Sequence, residues 1–330
     1  MTRTLSHKMA HFCLAITLGL TALSFNNMAN ATEERIDYLK IQQEERAWAG
    51  LTSKTLRVGD IAWTYSEGGN IKNPTILLLH GLGSNRDSWN KIAHDLTPYF
   101  HVVIPDLPSS NKKLFPAEYD LSLNNVTEQL RRFIETASIQ NNLNIAGHSI
   151  GGSLALFYAS KYPEDTKSLL LMSIGGPFNN SNTVYLKNPV YLKQLIVSKP
   201  GDYDYVMKTM MSNPPFIPGV IKKEQEKALI AESEENSKVI NEISNINQYY
   251  NKTAFNKMLA NTQAPTLIIW GKQDKIANVE IATELKSKLK KAETPIVLEH
   301  VGHVPVLEAD QLIIQNYLPF LRKVNNLPTP

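Results

Sequence analysis

From residue 50 onward, short apolar runs alternate with longer stretches in which apolar positions recur every three or four residues. "TLRV" (55–58) and "IAWTYSE" (61–67) alternate in the two-residue rhythm of strands and flank a Gly59-Asp60 turn, which predicts a hairpin. "TILLLH" (75–80) is apolar almost throughout, as a strand covered on both faces requires. Helix-like "RDSWNKIAHDL", strand-like "FHVVIPD", helix-like "NVTEQLRRFIETA", strand-like "LNIAG", helix-like "GGSLALFYASKY" and strand-like "SLLLMSI" follow in turn. The alternation returns with "PTLIIWG" (265–271), a helix over 279–290, "PIVLEH" (295–300) read as a strand, and a last helix over 309–323. Alternating strands and helices imply a mostly parallel sheet, here of eight strands, with helices on both faces.

Between Gly176 and Thr262 the strand rhythm disappears. This stretch is helix-like, carries the charged run "KKEQEKALIAESEENSK", and is punctuated by "NPPFIPG" (213–219). An insertion of this length, followed by a return to the sheet pattern, predicts a helical cap over residues 177–262 that divides the core into 32–176 and 263–330. Apolar Met207, Met210, Met211, Phe216 and Ile217, together with several tyrosines, are candidates to line an acyl pocket beneath it.

The first 31 residues follow a different pattern. Arg3 and Lys8 precede the apolar "FCLAITLGLTALSF", and Ala29-Asn30-Ala31 resembles a small-residue cleavage site, so residues 1–31 are expected to be a signal peptide. The apolar stretch is short for a membrane span, which is the other reading of such a segment. Export to the periplasm, cell surface or medium follows. The one cysteine, Cys13, lies in this leader, so disulfides and cysteine-based metal or thiol chemistry are not expected in the mature chain.

Composition narrows the partners. Of 330 residues, 42% are hydrophobic and 20% charged, ample for a soluble core. The formal charge is +3, but without Arg3 and Lys8 the remainder carries 32 basic against 31 acidic side chains, giving no reason to expect nucleic acid.

The chemistry begins at Gly147-His148-Ser149-Ile150-Gly151, which joins a predicted strand to a predicted helix. Gly-x-Ser-x-Gly in that setting forms a sharp turn that presents Ser149 at the sheet edge as a nucleophile, with the positive end of the following helix behind it. A serine hydroxyl needs a base, and the base an orienting acid, expected in the order Ser, Asp or Glu, His. Asp274 in "IIWGKQDK" and His303 in "EHVGHVPVLE" occupy loops after successive strands and fit those roles. Other groups compete. His300 is expected to pack from its strand, Glu308 to favour a helix start, and His148 to point away from the nucleophile. His300 and His303 alone, without HExxH or cysteine partners, make no metal motif. Two backbone N–H groups should form the oxyanion hole: Ile150, after the nucleophile, and Leu82, in the "HGLGS" loop (80–84).

"LLLHGLGSNRDSW", "VVIPDLP", "IAGHSIGG", "IIWGKQD" and "GHVPVLE" appear in the order of the α/β-hydrolase fold, which nearly the whole mature chain resembles. With "ERAWAGL", "WTYSEGG" and "EQLRRFIE", the chain most resembles exported bacterial lipases of family V. That resemblance implies a Ser149–His303–Asp274 triad, oxyanion contacts at Leu82 and Ile150, no cofactor, and a small-molecule or lipid ester met at a lipid–water interface. A serine at the elbow argues against haloalkane dehalogenase or epoxide hydrolase chemistry. Other readings stay open beside the lipase: first a short-chain carboxylesterase, then a serine carbon–carbon hydrolase or cofactor-free perhydrolase, and, from a different class, a non-catalytic ligand-binding member of the fold. One departure is visible: "PDLPSSNKKLF" lacks the family's glycine-containing turn, which bears on substrate preference.

Overall fold

The computed structural model describes residues 38–108, 115–116, 118–140, 142–249 and 251–328. The expected leader, Cys13 and most of the "PSSNKKLF" loop lie outside these residues.

Eight strands form one sheet in the spatial order β1-β2-β4-β3-β5-β6-β7-β8. β1 (Leu51–Val58) and β2 (Ile61–Gly68) make the predicted hairpin across Gly59-Asp60, with Val58 opposite Ile61. β2 is also antiparallel to β4 (His101–Pro105). From there β3 (Thr75–Leu79), β5 (Leu143–His148), β6 (Thr166–Met172), β7 (Thr266–Gly271) and β8 (Ile296–Leu298) pair in parallel. The β3–β5 register sets Leu79 opposite Gly147, and the β5–β6 register sets His148 opposite Met172.

The apolar runs have a direct cause. Successive side chains of a strand point to opposite faces. Leu77, Leu79, Ile145, Ile268 and Trp270 join one buried cluster with the helices Leu123–Thr136, Ile150–Lys161 and Glu280–Lys288. Ile76, Leu78, Ala146, Leu267 and Ile269 join the other with the helices Asn90–Leu96 and Asp310–Val324. With apolar helices on both sides, the central strands are largely apolar on both faces, and a polar exception such as Asn144 on β5 is buried with its partners Ser168 and Thr75 O.

Two elements differ from expectation. The strand expected over 295–300 pairs only through Ile296–Leu298, because β7 ends at Gly271 and Lys272 N–H closes on Leu298 O at 2.9 Å. His300 therefore stands exposed in a turn with φ 61°, not packed on a strand. The helix Tyr38–Trp48 had no sequence signal because it buries no residue. Polar and ring contacts attach it instead: Arg46 grips Asp87 through two 2.6 Å bonds, and the Trp48 ring stacks on His94 at 4.0 Å.

Between β6 and β7 the described chain is helical, through Val184–Lys187, Pro189–Leu195, Asp202–Met210, Gly219–Ala231, Ser233–Tyr249 and Lys252–Asn261. No helix among the described residues is long and apolar enough to cross a membrane.

Candidate active site

β5 ends at the centre of the sheet and the chain turns at once into the helix Ile150–Lys161. Ser149 sits at that turn with φ 54° and ψ −121°, a conformation that costs a non-glycine residue roughly 1–3 kcal/mol. The surroundings hold it there. A β-carbon at Gly147 would lie 2.5 Å from Gly152 Cα, and one at Gly151 would lie 2.5 Å from Leu79 O, so only glycine lets strand and helix approach this closely. Ser149 N–H continues the sheet ladder to Met172 O at 2.9 Å, and Ser149 O accepts from Ser153 N–H at 3.0 Å.

Asp274 and His303 reach the same edge from the loops after β7 and β8. Asp274 Oδ1 accepts from the Ile276 and Ala277 N–H groups, both at 2.9 Å, and Trp270 Nε1 donates to Ala277 O at 2.7 Å. The carboxylate is thus fixed by a turn that is itself tied to β7. It then takes His303 Nδ1 at 3.0 and 2.9 Å, with the Asp274 side chain wholly buried. A carboxylate can only accept, so Nδ1 carries the proton and Nε2 keeps its lone pair. Nε2 lies 3.2 Å from Ser149 Oγ. The three residues that sequence spacing nominated, from three separate loops, form one hydrogen-bonded line.

The neighbouring histidines have other tasks. His148 turns from Ser149 and donates Nε2–H to the main-chain oxygen of His303 at 2.6 Å. Burial, reinforced by nearby His303, lowers its pKa to about 3, so this ring stays neutral while it holds the His303 backbone. His80 is buried, and burial lowers its pKa below the ordinary value although Asp106 opposes the shift. Its Nε2 accepts from Leu107 N–H at 2.9 Å, so Nδ1–H donates to Gly81 O, also at 2.9 Å. In a trans peptide the carbonyl and the next N–H point oppositely, so fixing Gly81 O toward His80 aims Leu82 N–H the other way. Gly81 itself borders Ser149: a β-carbon there would stand 3.4 Å from Ser149 Cβ. Ile150, first residue of its helix, has no intrahelical acceptor for its N–H. His80 as the residue orienting the Gly81–Leu82 peptide had no signal in sequence beyond its place before Gly81.

Ser149 and His303 open into a cavity of about 1020 Å³. Leu107, Leu123 and Val126 wall it from the core, and Phe178, Tyr185, Leu186, Leu192, Val239 and Ile243 from the insertion. Of the residues expected to line it, a tyrosine of the insertion, Tyr185, does so, and the five named apolar residues are elsewhere. Met211 is buried in the core cluster behind β7 and β8, while Met207 and Met210 pack between that cluster and a small one around Val197, Tyr203 and Val206. Ile217 joins the small cluster, and Phe216 is 91% exposed. Composition showed that the insertion holds apolar residues; helix packing decided which of them face inward. Glu308, expected to serve a helix start, instead accepts N–H bonds from Gly302 and Val304, either side of His303.

Comparison with known proteins agrees with this architecture. The family profile of the alpha/beta hydrolase fold matches residues 74–202. Lipase 1 of Psychrobacter immobilis is 30% identical over 316 residues, covering 93% of this chain and 96% of its own. The crystal structure of a candidate lipase from Acinetobacter baumannii superposes with a TM-score of 0.87 at 51% identity, over 90% of this chain and 99% of that one. That of a membrane phospholipase A superposes with a TM-score of 0.81 at 29% identity, over 88% and 91%.

Proposed function

The chain belongs to the α/β-hydrolase fold family, among the bacterial lipases, and from that premise we propose that it is an exported serine lipase acting on fatty-acid esters. That it is an ester hydrolase of the lipase type follows from its relatives. The finer reading rests on one observation: a serine, a histidine and a buried aspartate in hydrogen-bonded line, opening on a large apolar cavity.

In this reading Ser149 Oγ attacks the ester carbonyl as His303 Nε2 takes its proton. Asp274 holds the imidazole in the required tautomer and balances the charge it gains. The carbonyl oxygen, now an oxyanion, lies between Leu82 N–H and Ile150 N–H, each such donor contributing roughly a hundredfold or more to rate. Collapse gives the alcohol its proton from His303 and leaves Ser149 acylated; water then repeats the sequence and frees the acid. The cavity volume reaches the upper end of the range for small-molecule sites, which suits a long acyl chain better than acetate. The insertion acts as the cap that encloses that chain. The leader-like first 31 residues support action outside the cytoplasm.

A p-nitrophenyl ester series from acetate to palmitate tests the reading. Turnover extending to long chains is expected, and Ser149→Ala should lower it by at least three decades while the protein stays folded. Turnover confined to short esters would make the protein a carboxylesterase, and a folded Ser149→Ala chain keeping a tenth of wild-type turnover would remove the nucleophile assignment.

A further inference from the structure

Glu308 is the last residue of the short turn Pro305–Glu308, and its carboxylate collects five amide contacts from two distant parts of the chain. Gly302 N–H approaches both oxygens at 3.0 Å, and Val304 N–H reaches Oε1 at 3.2 Å. Ser212 and Asn213, in the insertion, donate their N–H groups to Oε2 at 2.8 and 3.1 Å. The amide between Gly302 and Val304, that of His303 itself, crosses in the opposite sense and donates to Met210 O at 2.7 Å. The two strands of chain are in main-chain contact here, since a β-carbon on Gly302 would lie 2.7 Å from both Met210 O and Ser212 N.

We propose that Glu308 is a positioning residue that makes the insertion part of the catalytic apparatus, clamping residues 210–213 and the His303 loop to one carboxylate. The inference rests on the assignment of His303 as the base. Its physical ground is the number and direction of the bonds. A peptide loop that presents a base must be fixed at its backbone, because a hydrogen bond to Ser149 Oγ already at 3.2 Å has little room to lengthen. Asp274 fixes the ring, and His148 fixes the His303 carbonyl, but neither holds the amides on either side. Glu308 does, and an ionised acceptor makes stronger bonds to N–H groups than a neutral one.

The same carboxylate settles what the insertion can do. Residues 210–213 cannot swing away from the sheet without breaking the bonds to Glu308 and the one to His303 N–H together. Met211, buried in the core cluster, anchors the segment as well. This end of the insertion is therefore a fixed strap.

Glu308→Gln tests the clamp. Its amide offers one acceptor oxygen and turns an NH2 toward the remaining N–H donors, so the five contacts cannot all survive. Displacements of this kind, of up to about 1 Å, cost up to a hundredfold in rate, and we expect kcat for p-nitrophenyl acetate to fall about tenfold with KM changed less than about threefold. The discriminating readout is diisopropyl fluorophosphate, with which Ser149 Oγ forms a bond to phosphorus as fluoride leaves and His303 takes the serine proton. Positioning lowers the labelling rate while one serine per chain still reacts. A purely structural role lowers the number of reactive chains and leaves the rate at each unchanged, and that result would overturn the proposal. Should Glu308→Gln not fold, Ser212→Pro removes a single insertion donor next to Met211, whose extended φ −110° and ψ 141° suit the residue before proline. A folded Ser212→Pro with a wild-type labelling rate would equally overturn it. If wild-type Ser149 itself fails to label, the triad assignment has failed, a result separate from any change confined to Glu308→Gln.

Discussion

The central sheet and the helical insertion are built on opposite terms. In β4, β5 and β7 every residue is buried, and the strands carry side chains into two clusters at once. In the insertion, the helix Gly219–Ala231 buries no residue, and its local cluster has only Val197, Tyr203 and Val206 at its centre. A close-packed interior tolerates little displacement, so loops at the ends of the central strands can hold atoms to a few tenths of an ångström. Ser149 and Asp274 sit on such loops, and His303, on the loop after the edge strand β8, is buried against them. Thinly packed helices can change their surface residues freely, and they supply the Tyr185, Leu186, Leu192, Val239 and Ile243 side of the cavity wall. In the proposed reading, chemistry is placed where packing is dense, and substrate shape where it is sparse.

The largest effects should come from the dense side. His303→Ala and Asp274→Asn should each lower kcat/KM for every ester in the series by roughly three decades or more, because the base and its tautomer are lost regardless of chain length. His300→Ala should change it by less than about threefold, since that ring is exposed in its turn and bonds to no triad residue. Parallel kinetics on acetate and palmitate esters check both arms. A defect in His300→Ala comparable to that of His303→Ala would mean that the base has been misassigned.

On the sparse side the effect should depend on chain length. Ile243→Asp puts a charge into the cavity wall, and burying it against an acyl chain is unfavourable. The ratio of palmitate to acetate kcat/KM should drop roughly tenfold, within the range by which pocket contacts discriminate related substrates. Phe216→Asp, at a side chain 91% exposed and outside the cavity, should leave that ratio unchanged for esters in free solution. Equal losses on both esters for Ile243→Asp would show that the insertion does not shape the acyl site.

The same contrast explains what could be read in the sequence. Strands covered on both faces are largely apolar, so "TILLLH" and "TLIIWG" announced themselves and set the alternation, and the loops after β5, β7 and β8 could be searched for Ser149, Asp274 and His303 by order. The helix Tyr38–Trp48 was illegible because arginine and ring contacts, not buried side chains, attach it. Met207, Met210 and Met211 looked like pocket lining because composition does not encode which face of a lightly packed helix turns inward. His80 and Glu308 escaped for another reason. Each acts on backbone groups, Gly81 O in one case and the amides around His303 in the other, and main-chain partners leave no pattern of residue types.

The last test reads stability rather than turnover, at another place where insertion and core meet. Asn236 is buried and its Oδ1 accepts from Gly83 N–H at 3.3 Å, one residue beyond the candidate oxyanion donor Leu82. Four residues earlier, burial of Glu232, reinforced by the Asp106 carboxylate, raises its pKa to about 8. In the unfolded chain the same group ionises near the ordinary value of about 4.3. Between these two values the folded state binds the extra proton, so the contribution of Glu232 to stability is full below about pH 4 and is lost progressively as pH rises to about 8. Asp106, also raised chiefly by its burial, changes stability in the same sense. Glu232→Gln keeps a neutral group of similar shape and removes this dependence. Urea unfolding of the two proteins at pH 5, 7 and 9 should show the variant gaining on the wild type with each step, by on the order of 4 kcal/mol between pH 5 and pH 9. A difference that stays flat across that range, or shrinks with rising pH, would mean that the carboxyl is already ionised in the folded protein at pH 5.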